Sequence, residues 1–442
     1  MADVRPGRQQ AIVLGAGFAG LVAARVLADH FDRVVVIERD DLTGEGARRG
    51  VPQSHHPHAF LARGHEILQQ LFPGLAPELL ALGACDAEML SEVRYVFQGH
   101  PIKQVPIGLH VTLASRPFIE AQMRRRVGEL ANVEVRERWE LTGITAEGSR
   151  VTGARIVSLN TGVSETLSGD LVVDCLGRSG RSSAWLEELG FARPGEERVR
   201  SGLTYASGRV RLAGGAPSGD RTVIVTAVAG RARGLVLIEQ ERGEWMLSVH
   251  GYGPGNVPPS DEAGFMEFAR DLAPADVRQA LEGAQLLGGV ELFKVPHSTR
   301  RRFDKLRRLP GGLVALGDSL CSFNPVYGAG MTSAAMQAIT LGECLVATRS
   351  RSQALPRAYF RAASRVVSQP WWFALLADFL LPEVDGKRPF GMSVIRRHLT
   401  RTLAAAERDG ELAGDLFRTI GMVAPITRLV SPRSLLRIYR RR

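Results

Sequence analysis

Residues 11–20 read Ala-Ile-Val-Leu-Gly-Ala-Gly-Phe-Ala-Gly, and this stretch decides the fold. Its four apolar residues predict a short buried strand, and the periodicity of residues 21–29 predicts a helix after the glycines. A second apolar run, residues 34–37, predicts another buried strand that ends at Glu38. Because strand, glycine-rich turn, helix and strand form a βαβ unit, the sequence predicts an α/β fold with a Rossmann-like parallel sheet.

The three glycines of this turn have the spacing of a dinucleotide-binding site. Gly15 permits the tight turn, Gly17 lets a pyrophosphate approach the backbone, and Gly20 lets the helix pack closely on the strand. Free N–H groups at the start of the helix favour bound phosphate. Glu38 is placed to accept hydrogen bonds from ribose hydroxyls, and Arg39 follows it in the same site. An acid there favours FAD or NAD over NADP.

A distant segment, residues 313–331, predicts the other half of the same site. An apolar strand runs into Gly317-Asp318, a Pro- and Gly-rich loop follows, and residues 332–348 predict an Ala-rich helix. Asp318 is placed to bind a ribityl hydroxyl. The helix would direct its N-terminal N–H groups at the flavin pyrimidine, where negative charge collects on reduction. A simple NAD dehydrogenase has no need of this second site, so the sequence predicts FAD.

The composition is that of a globular protein of 442 residues, with 45% hydrophobic and 23% charged residues. No apolar run approaches the roughly 18 residues of a spanning helix, and the N-terminus lacks the apolar core of a secretory signal. The scattered cysteines predict reduced, mostly buried thiols in a cytoplasmic enzyme. Net charge is +10, but the arginines are dispersed and no nucleic-acid motif is present, so we expect no nucleic-acid partner.

Three segments resemble the class A flavoprotein monooxygenases, the para-hydroxybenzoate hydroxylase fold group. They are the glycine turn with Glu38, residues 170–181 (Asp-Leu-Val-Val-Asp-Cys-Leu-Gly-Arg-Ser-Gly-Arg) with Asp174 and Gly177 at their centre, and Gly317-Asp318. The resemblance implies bound FAD, a C4a-hydroperoxide of the flavin that delivers oxygen, and NAD(P)H as a transient reductant. A partner flavin reductase is the alternative electron source.

A narrower resemblance is carried by residues 49–53 (Arg-Gly-Val-Pro-Gln), His56-Pro-His58, residues 64–72 and residues 323–328 (Phe-Asn-Pro-Val-Tyr-Gly). These segments resemble bacterial flavin epoxidases that act on polyene precursors of polyether natural products. The resemblance implies epoxidation of an olefin in an apolar polyketide or terpenoid intermediate, in secondary metabolism and antibiotic biosynthesis. The chain departs from the pattern at Ser54-His55, and its C-terminal quarter is not covered.

The same resemblance assigns residues to the surroundings of the flavin. Arg116 matches an arginine that approaches FAD, and Ser115 is on its own a plausible N-cap before it. His56 and His58 would border the flavin; no carboxylate or cysteine completes a metal-binding set with them, so no metal is expected. The other residues that it places in the site are Arg49, Pro325, Tyr327, Gly328, Gly330 and Met331.

Three regions are predicted along the chain. A discontinuous FAD-binding domain of the glutathione-reductase type comprises residues 1–90, 115–190 and 297–369. A substrate-binding domain comprises residues 91–114 and 191–296, which predict a mixed β-sheet over the flavin and an outer helix at residues 266–281. Residues 370–442 are predicted to be a helical C-terminal region.

The end of the chain carries two further features. Residues 371–382 are strongly apolar but too short to cross a bilayer, which predicts a core helix or a wall of a substrate tunnel. From residue 387 onwards arginines are frequent and acids are few. Such a basic end predicts either a solvated terminus or contact with a membrane surface or a carrier protein.

Several reactions fit this sequence. Alkene epoxidation needs no protein base, whereas phenol hydroxylation benefits from one; the candidates are Tyr205, His250 and Tyr252, none of them convincing, which favours an alkene. An aromatic hydroxylase of the same fold and an FAD-dependent reductase or dehydrogenase of prenyl substrates are alternatives. A flavin halogenase is disfavoured, because neither a WxWxIP motif nor a suitably placed lysine is present. A noncatalytic FAD-binding redox sensor is a further alternative.

Overall fold

The structure, a computed structural model, describes residues 10–44, 46–48, 50–58, 60–348 and 354–440, with Pro52 described by its backbone alone. Its helices are α1 (Phe18–Ala28), α2 (Ala62–Leu71), α3 (Leu75–Ala81), α4 (Arg116–Gly128), α5 (Ser182–Glu188), α6 (Glu262–Leu272), α7 (Ala275–Glu282), α8 (Ala329–Ala347), α9 (Ala354–Val366), α10 (Ser368–Asp378), α11 (Met392–Ala406), α12 (Gly410–Ile420) and α13 (Pro432–Tyr439).

The strands, in chain order, are β1 (Gln10–Leu14), β2 (Arg33–Ile37), β3 (Cys85–Glu88), β4 (Val93–Phe97), β5 (His100–Pro101), β6 (His110–Leu113), β7 (Val133–Arg136), β8 (Trp139–Glu147), β9 (Arg150–Ser158), β10 (Ser164–Ser168), β11 (Leu171–Asp174), β12 (Glu196–Val199), β13 (Leu203–Arg211), β14 (Thr222–Val225), β15 (Arg233–Glu239), β16 (Trp245–Tyr252), β17 (Gln285–Leu286), β18 (Glu291–Val295), β19 (Ser298–Arg301), β20 (Leu313–Ala315) and β21 (Cys321–Ser322).

A five-stranded parallel sheet carries the three sequence motifs. Its strand order is β20-β11-β1-β2-β7. Leu14 at the end of β1 pairs with Asp174 at the end of β11, and Asp174 pairs with Ala315 at the end of β20. The carboxyl ends of these strands therefore lie side by side, which is where parallel α/β sheets bind ligands. The predicted α/β fold is confirmed.

Two glycines allow the segments after these strands to approach closely. A Cβ atom on Gly20 would lie 1.8 Å from the carbonyl oxygen of Gly15, so no larger residue fits where α1 returns over β1. Gly317 has a φ of +69°, and a Cβ there would lie 2.8 Å from the Cβ of Ala19. Glycine is therefore required both by the turn after β20 and by its packing on α1.

An eight-stranded sheet lies beside the parallel sheet. Its order is β17-β13-β16-β15-β14-β4-β5, and β18 pairs with β13. Strands β14 and β4 are parallel and the other pairs antiparallel, so the predicted mixed sheet is confirmed. Side chains alternate along its strands: Leu235 and Leu247 pack with Phe265 and Val277 of the outer helices, whereas the opposite face is turned toward a cavity.

Two details of the sequence prediction are wrong. The outer helix predicted at residues 266–281 is two helices, because Pro274 between α6 and α7 cannot donate a backbone hydrogen bond and its ring clashes with a continuing helix. Strand β6, inside the segment predicted to join the mixed sheet, instead pairs with β3 in a separate ladder. Strand β3 lies before residue 91, so this two-stranded ladder crosses the boundary predicted between the FAD-binding and substrate-binding regions.

The C-terminal part is helical as predicted, from α10 to α13. All four cysteines are free thiols, and three of them are buried. Across the described residues, every helix is either too short or too polar to cross a bilayer. The division into FAD-binding, substrate-binding and C-terminal regions stays a prediction.

Replacing Gly20 by alanine should destabilise the protein, because the new Cβ would overlap the carbonyl oxygen of Gly15. Overpacking of this kind costs about 1–3 kcal/mol or more, enough to lower the thermal midpoint by several degrees. Gly128→Ala is the matched control, since nothing lies within 4 Å of the added Cβ at the end of α4. Equal thermal midpoints for the two variants would contradict this account of the turn.

Candidate active site

A cavity of about 560 Å³ runs from the carboxyl ends of the parallel strands to the face of the eight-stranded sheet. Gly20 lies behind its wall, packed on Gly15, and Arg49 lies outside the described residues. The glycine turn and the Gly317-Asp318 segment, some three hundred residues apart in sequence, both line this cavity. The predicted site residues that line it are Gly15, Gly17, Glu38, Arg39, His56, His58, Arg116, Asp318, Pro325, Tyr327, Gly328, Gly330 and Met331.

Glu38 lies at the end of the cavity where a ribose was predicted. Its Oε1 accepts hydrogen bonds from the backbone N–H groups of Arg39 (2.8 Å) and Asp40 (3.0 Å). Its Oε2 accepts from the N–H of Ala16 (2.8 Å) and from Arg48 (3.2 Å). A carboxylate has about four lone-pair sites, and these four donors already occupy them. A ribose hydroxyl at this position would therefore have to share a lone pair with one of the donors.

A buried charge cluster lies beneath the glycine turn. Glu120 on α4 accepts from Arg48 (2.8 Å), from Nε of Arg116 (2.7 Å) and from the backbone N–H of Phe18 (2.9 Å). Burial opposes ionisation of Glu120, but the two arginines outweigh it and lower the pKa of this carboxyl to about 2. Sequence reasoning missed Glu120 and Arg48. The signal for Glu120 was its i,i+4 spacing from Arg116 on a capped helix.

Arg116 reaches over the glycine turn. One of its terminal nitrogens lies 3.8 Å from the point where a Cβ of Gly17 would be, beside the first turn of α1. Ser115 is the N-cap of α4, as predicted, and accepts from the N–H of Phe118 at 3.4 Å. A guanidinium held beside a helix N-terminus and an open glycine backbone fits a pyrophosphate.

Asp318 is held in place by Arg301 at the end of β19 and by contacts with the middle motif, residues 170–181. Arg301 donates to the backbone carbonyl oxygens of Asp318 (3.1 Å) and Ser319 (2.9 Å), and the hydroxyl of Ser319 donates to the completely buried Asp174 at 3.0 Å. Nε of Arg178 lies 3.8 Å from the Asp318 carboxylate. The carboxylate itself faces the cavity, where it can accept a hydrogen bond from a ribityl hydroxyl.

Helix α8 begins beside Asp318. Gly328 adopts a φ of +62° and starts the helix at Ala329, three residues earlier than predicted, and no side chain caps its first turn. Gly330 and Met331 in that turn line the cavity. The free N–H groups of an uncapped helix N-terminus favour an anion. The glycine turn and Arg116 thus fit the pyrophosphate of FAD. Asp318 fits the ribityl chain, and the start of α8 fits the pyrimidine.

Both candidate histidines are held neutral. His58 Nδ1 donates to the backbone carbonyl of His56 (2.8 Å), which leaves Nε2 to face Arg116 at 3.4 Å. Burial and the nearby Arg116 lower the pKa of His58 to about 3, and burial lowers that of His56 to about 4. His56 Nδ1 lies 2.7 Å from the hydroxyl of Ser207. Among the described residues no group of side chains is arranged to hold a metal ion.

The far end of the cavity is apolar. Most of it is formed by one face of strands β4, β14 and β15. Cross-strand register aligns Val93 with Thr222 and Ile238, and the residues two positions away on each strand form a second row on the same face. None of the described lining residues on these strands is charged. The side chains that line this end are Met89, Val93, Tyr95, Phe97, Val111, Leu113, Tyr205, Thr222, Ile224, Thr226, Val236, Ile238, Phe293, Phe373 and Ile420.

The structure does not place a strong base at this end. His250 is buried, neither ring nitrogen has a hydrogen-bond partner, and burial lowers its pKa to about 4. Tyr205 lines the cavity with a hydroxyl that has no partner, and burial raises its pKa. The Tyr252 hydroxyl accepts from Asn324 at 3.0 Å. None of these candidates is suited to deprotonate a phenol at neutral pH.

The comparisons with known proteins identify the family of this chain. A family model described as an FAD binding domain matches residues 8–371. Protein Rv3254 of Mycobacterium tuberculosis (strain ATCC 25618 / H37Rv) is 35% identical over 378 residues, covering 83% of this chain and 79% of that protein. The chain belongs to the FAD-binding-domain family of class A flavoprotein monooxygenases and is an FAD-dependent oxidoreductase.

Solved structures share the fold at low sequence identity. A flavin-dependent brominase matches with a TM-score of 0.69 and 15% identity, covering 93% of this chain and 92% of its own. The p-nitrophenol 4-monooxygenase of Pseudomonas putida DLL-E4 matches with a TM-score of 0.68 and 16% identity, covering 93% and 99%. A flavoprotein/dehydrogenase from Cytophaga hutchinsonii matches with 0.70 and 13%, covering 97% and 96%. At these identities the likeness shows the fold alone.

The contact of each individual residue with FAD stays a prediction, and a substitution of Asp318 tests one such contact most directly. Asp318→Ala removes the predicted acceptor of a ribityl hydroxyl, and loss of a charge-assisted hydrogen bond of about 1.5–3 kcal/mol should weaken FAD binding roughly tenfold to a hundredfold. Flavin absorbance per protein after gel filtration measures this. Asp318→Asn, which keeps a carbonyl acceptor, should retain more flavin than Asp318→Ala. Full flavin content in the alanine variant would remove Asp318 from the site.

Proposed function

We propose that this FAD-dependent monooxygenase epoxidises an alkene of a large apolar substrate, of the polyketide or terpenoid class. The observation that carries the proposal is the cavity itself, which continues from the predicted flavin position onto an uncharged, largely apolar sheet face. An apolar chain gains free energy by leaving water for such a surface. Bound flavin supplies oxygen activation, and the protein supplies orientation and the exclusion of water.

The described side chains on the sheet face of the cavity include no strong base, which favours an alkene over a phenol. An electron-rich alkene takes up an oxygen atom without losing a proton, whereas a phenol reacts faster as its phenolate. His56 and His250 are weak bases because burial lowers their pKa, and Tyr205 stays a protonated phenol because burial raises its pKa. The second candidate, aromatic hydroxylation, is favoured by the aromatic side chains of the cavity, Tyr95, Phe97 and Phe293, against which a ring would stack.

Electrons would come from NAD(P)H, which is typical of the family, or from a partner flavin reductase. Anaerobic mixing of the FAD-loaded protein with NADH and with NADPH separates the two sources. Bleaching of the flavin by either nucleotide alone supports direct reduction, and a flavin that bleaches only after addition of a flavin reductase supports the partner.

Ile224 tests the substrate proposal. It lies in the middle of the cavity face of β14, so Ile224→Asp places a charge where an apolar chain would bind. Burying that charge costs several kcal/mol, and KM for a linear terpene alkene should rise about tenfold or more while flavin content stays unchanged. Ile224→Leu, which conserves volume, is the control. A KM for the alkene that is the same in both variants would count against this face.

We propose that the basic C-terminal part, from residue 387 onwards, binds an anionic membrane surface. An apolar substrate would enter the cavity from that surface. Phe390 is fully exposed, and Val394 on α11 and Leu436 on α13 are 66% and 74% exposed. Residues 386–406 contain five lysines and arginines and no aspartate or glutamate. Exposed apolar side chains among cations are the combination that binds anionic lipid.

Vesicle binding tests this membrane proposal. Phe390→Ser combined with Val394→Ser should lower the fraction that sediments with phosphatidylserine-containing vesicles severalfold, and salt should lower it further. Val163→Ser is the control, because Val163 is 55% exposed on a different part of the surface. Undiminished sedimentation of the double variant would contradict the proposal, as would binding to an acidic carrier protein without binding to vesicles.

A further inference from the structure

A buried carboxylic acid lies behind the cavity wall. Asp378, the last residue of α10, is 1% exposed. The hydroxyl of Tyr327 donates to its Oδ1 at 2.9 Å, and the side-chain amide of Asn324 donates to the same oxygen at 2.7 Å. That amide also donates to the hydroxyl of Tyr252 at 3.0 Å. Of these four side chains only Tyr327 lines the cavity.

Asp378 has no positive partner. The titratable groups that face it are Tyr327 from the loop before α8, Tyr252 from β16 and Tyr205 from β13. Among the described residues, no lysine, arginine or histidine forms an ion pair with it. Because burial outweighs the hydrogen bonds from Tyr327 and Asn324, which favour the carboxylate, the pKa of Asp378 rises to about 7. A proton on Oδ1 of the neutral acid would reverse the hydrogen bond with Tyr327: Asp378 would then donate to the tyrosine oxygen, still accept from Asn324, and leave the Tyr327 hydroxyl free to donate elsewhere.

Monooxygenation consumes a proton that this cavity has to obtain. A substrate S reacts according to S + O₂ + NAD(P)H + H⁺ → SO + H₂O + NAD(P)⁺, so each turnover takes up one proton while one oxygen atom leaves as water. The described side chains on the sheet face of the cavity are uncharged and do not supply it. Tyr327 lines the cavity, and its hydroxyl is hydrogen-bonded directly to a buried acid.

We propose that Asp378 and Tyr327 form a proton relay into the cavity, an inference that rests on the proposed monooxygenation. Tyr327 gives its hydroxyl proton to the oxygen atom that leaves as water and takes the proton of Asp378 in its place. Asp378 is left as a carboxylate and regains a proton from solvent before the next turnover. Tyr327 is then a catalytic residue, and Asp378 acts through it. Asn324 and Tyr252 fix the orientation of the carboxyl.

A purely structural role is the competing explanation, because the same hydrogen bonds join α10 to the loop before α8. The relay requires Asp378 to hold a proton near neutral pH, whereas a structural role does not require it. A raised pKa in the folded state adds stability that is complete below the pKa of the unfolded chain, near 4, and is lost as pH rises to the folded value near 7. An ordinary ionised aspartate has no such dependence.

Unfolding measurements test the protonation without any substrate. In urea unfolding of the FAD-loaded protein, the folding equilibrium of the wild type relative to Asp378→Asn should fall about tenfold per pH unit between about pH 4 and pH 7, and then level off. If the variant does not fold, the infrared carbonyl band of a protonated carboxylic acid in the wild type should disappear between about pH 6 and pH 8. Parallel unfolding profiles, or no such band, would overturn the relay.

Turnover measurements test the transfer itself. Asp378→Asn and Tyr327→Phe should each lower kcat for alkene oxidation about a hundredfold at pH 6 with little change in KM, and the double variant should be no slower than either. Asp378→Asn should also abolish the decline of kcat above about pH 7. Tyr359→Phe is the control, because its buried hydroxyl donates to the carbonyl of Ala315 outside this network.

The outcomes separate the relay from the proposed function. An unchanged pH profile in Asp378→Asn, in a protein whose unfolding shows the protonated acid, would assign Asp378 a structural role and overturn the relay. Additive losses in the double variant would overturn it as well. If wild-type protein oxidised a phenol and no alkene, the proposed epoxidation would be wrong and the relay would stand. If it oxidised neither while the titration of Asp378 was observed, monooxygenation itself would be wrong, and the relay would fall for that reason alone.

Discussion

Three parallel strands that end at the same level hold the site together. Leu14, Asp174 and Ala315 are paired across the sheet, so the backbone segments that follow them leave from one edge. The glycine turn, the middle motif and the Gly317-Asp318 turn are brought into contact only because of this register. The cofactor cavity opens at that edge, and its geometry therefore depends on strand pairing between residues far apart in sequence.

Electrostatics at this edge follows from the same arrangement. Helix α1 begins at the glycine turn, helix α4 brings Arg116 and Glu120 beneath it, and helix α8 begins on the opposite side without a cap. The positive helix ends and arginines collect at the predicted dinucleotide end of the cavity, whereas the described side chains of the sheet face are uncharged. An anionic cofactor with an apolar reaction partner at its far end matches this polarity.

Much of this site could be predicted from local patterns. Gly15, Gly17 and Glu38 have fixed spacing within one βαβ unit, and the Asp318 turn follows a recognisable strand. Glu120 and Arg48 were missed because their pairing depends on tertiary contact. Asp378 was missed for a related reason: it lies in an apolar segment that predicts a core helix or a tunnel wall, and its partners Asn324 and Tyr327 lie some fifty residues away. The break at Pro274 was visible in the sequence, and apolar periodicity on both sides of it obscured the end of the helix.

The proposed function requires this cavity to deliver one atom of molecular oxygen to an apolar alkene. Isotope labelling tests it most directly: the FAD-loaded protein, supplied with reductant, a linear terpene alkene and ¹⁸O₂, should form an epoxide that contains one ¹⁸O atom, while water takes the other. Turnover of the alkene without oxygen, or label incorporated into a phenol ring while the alkene is left unchanged, would contradict the account.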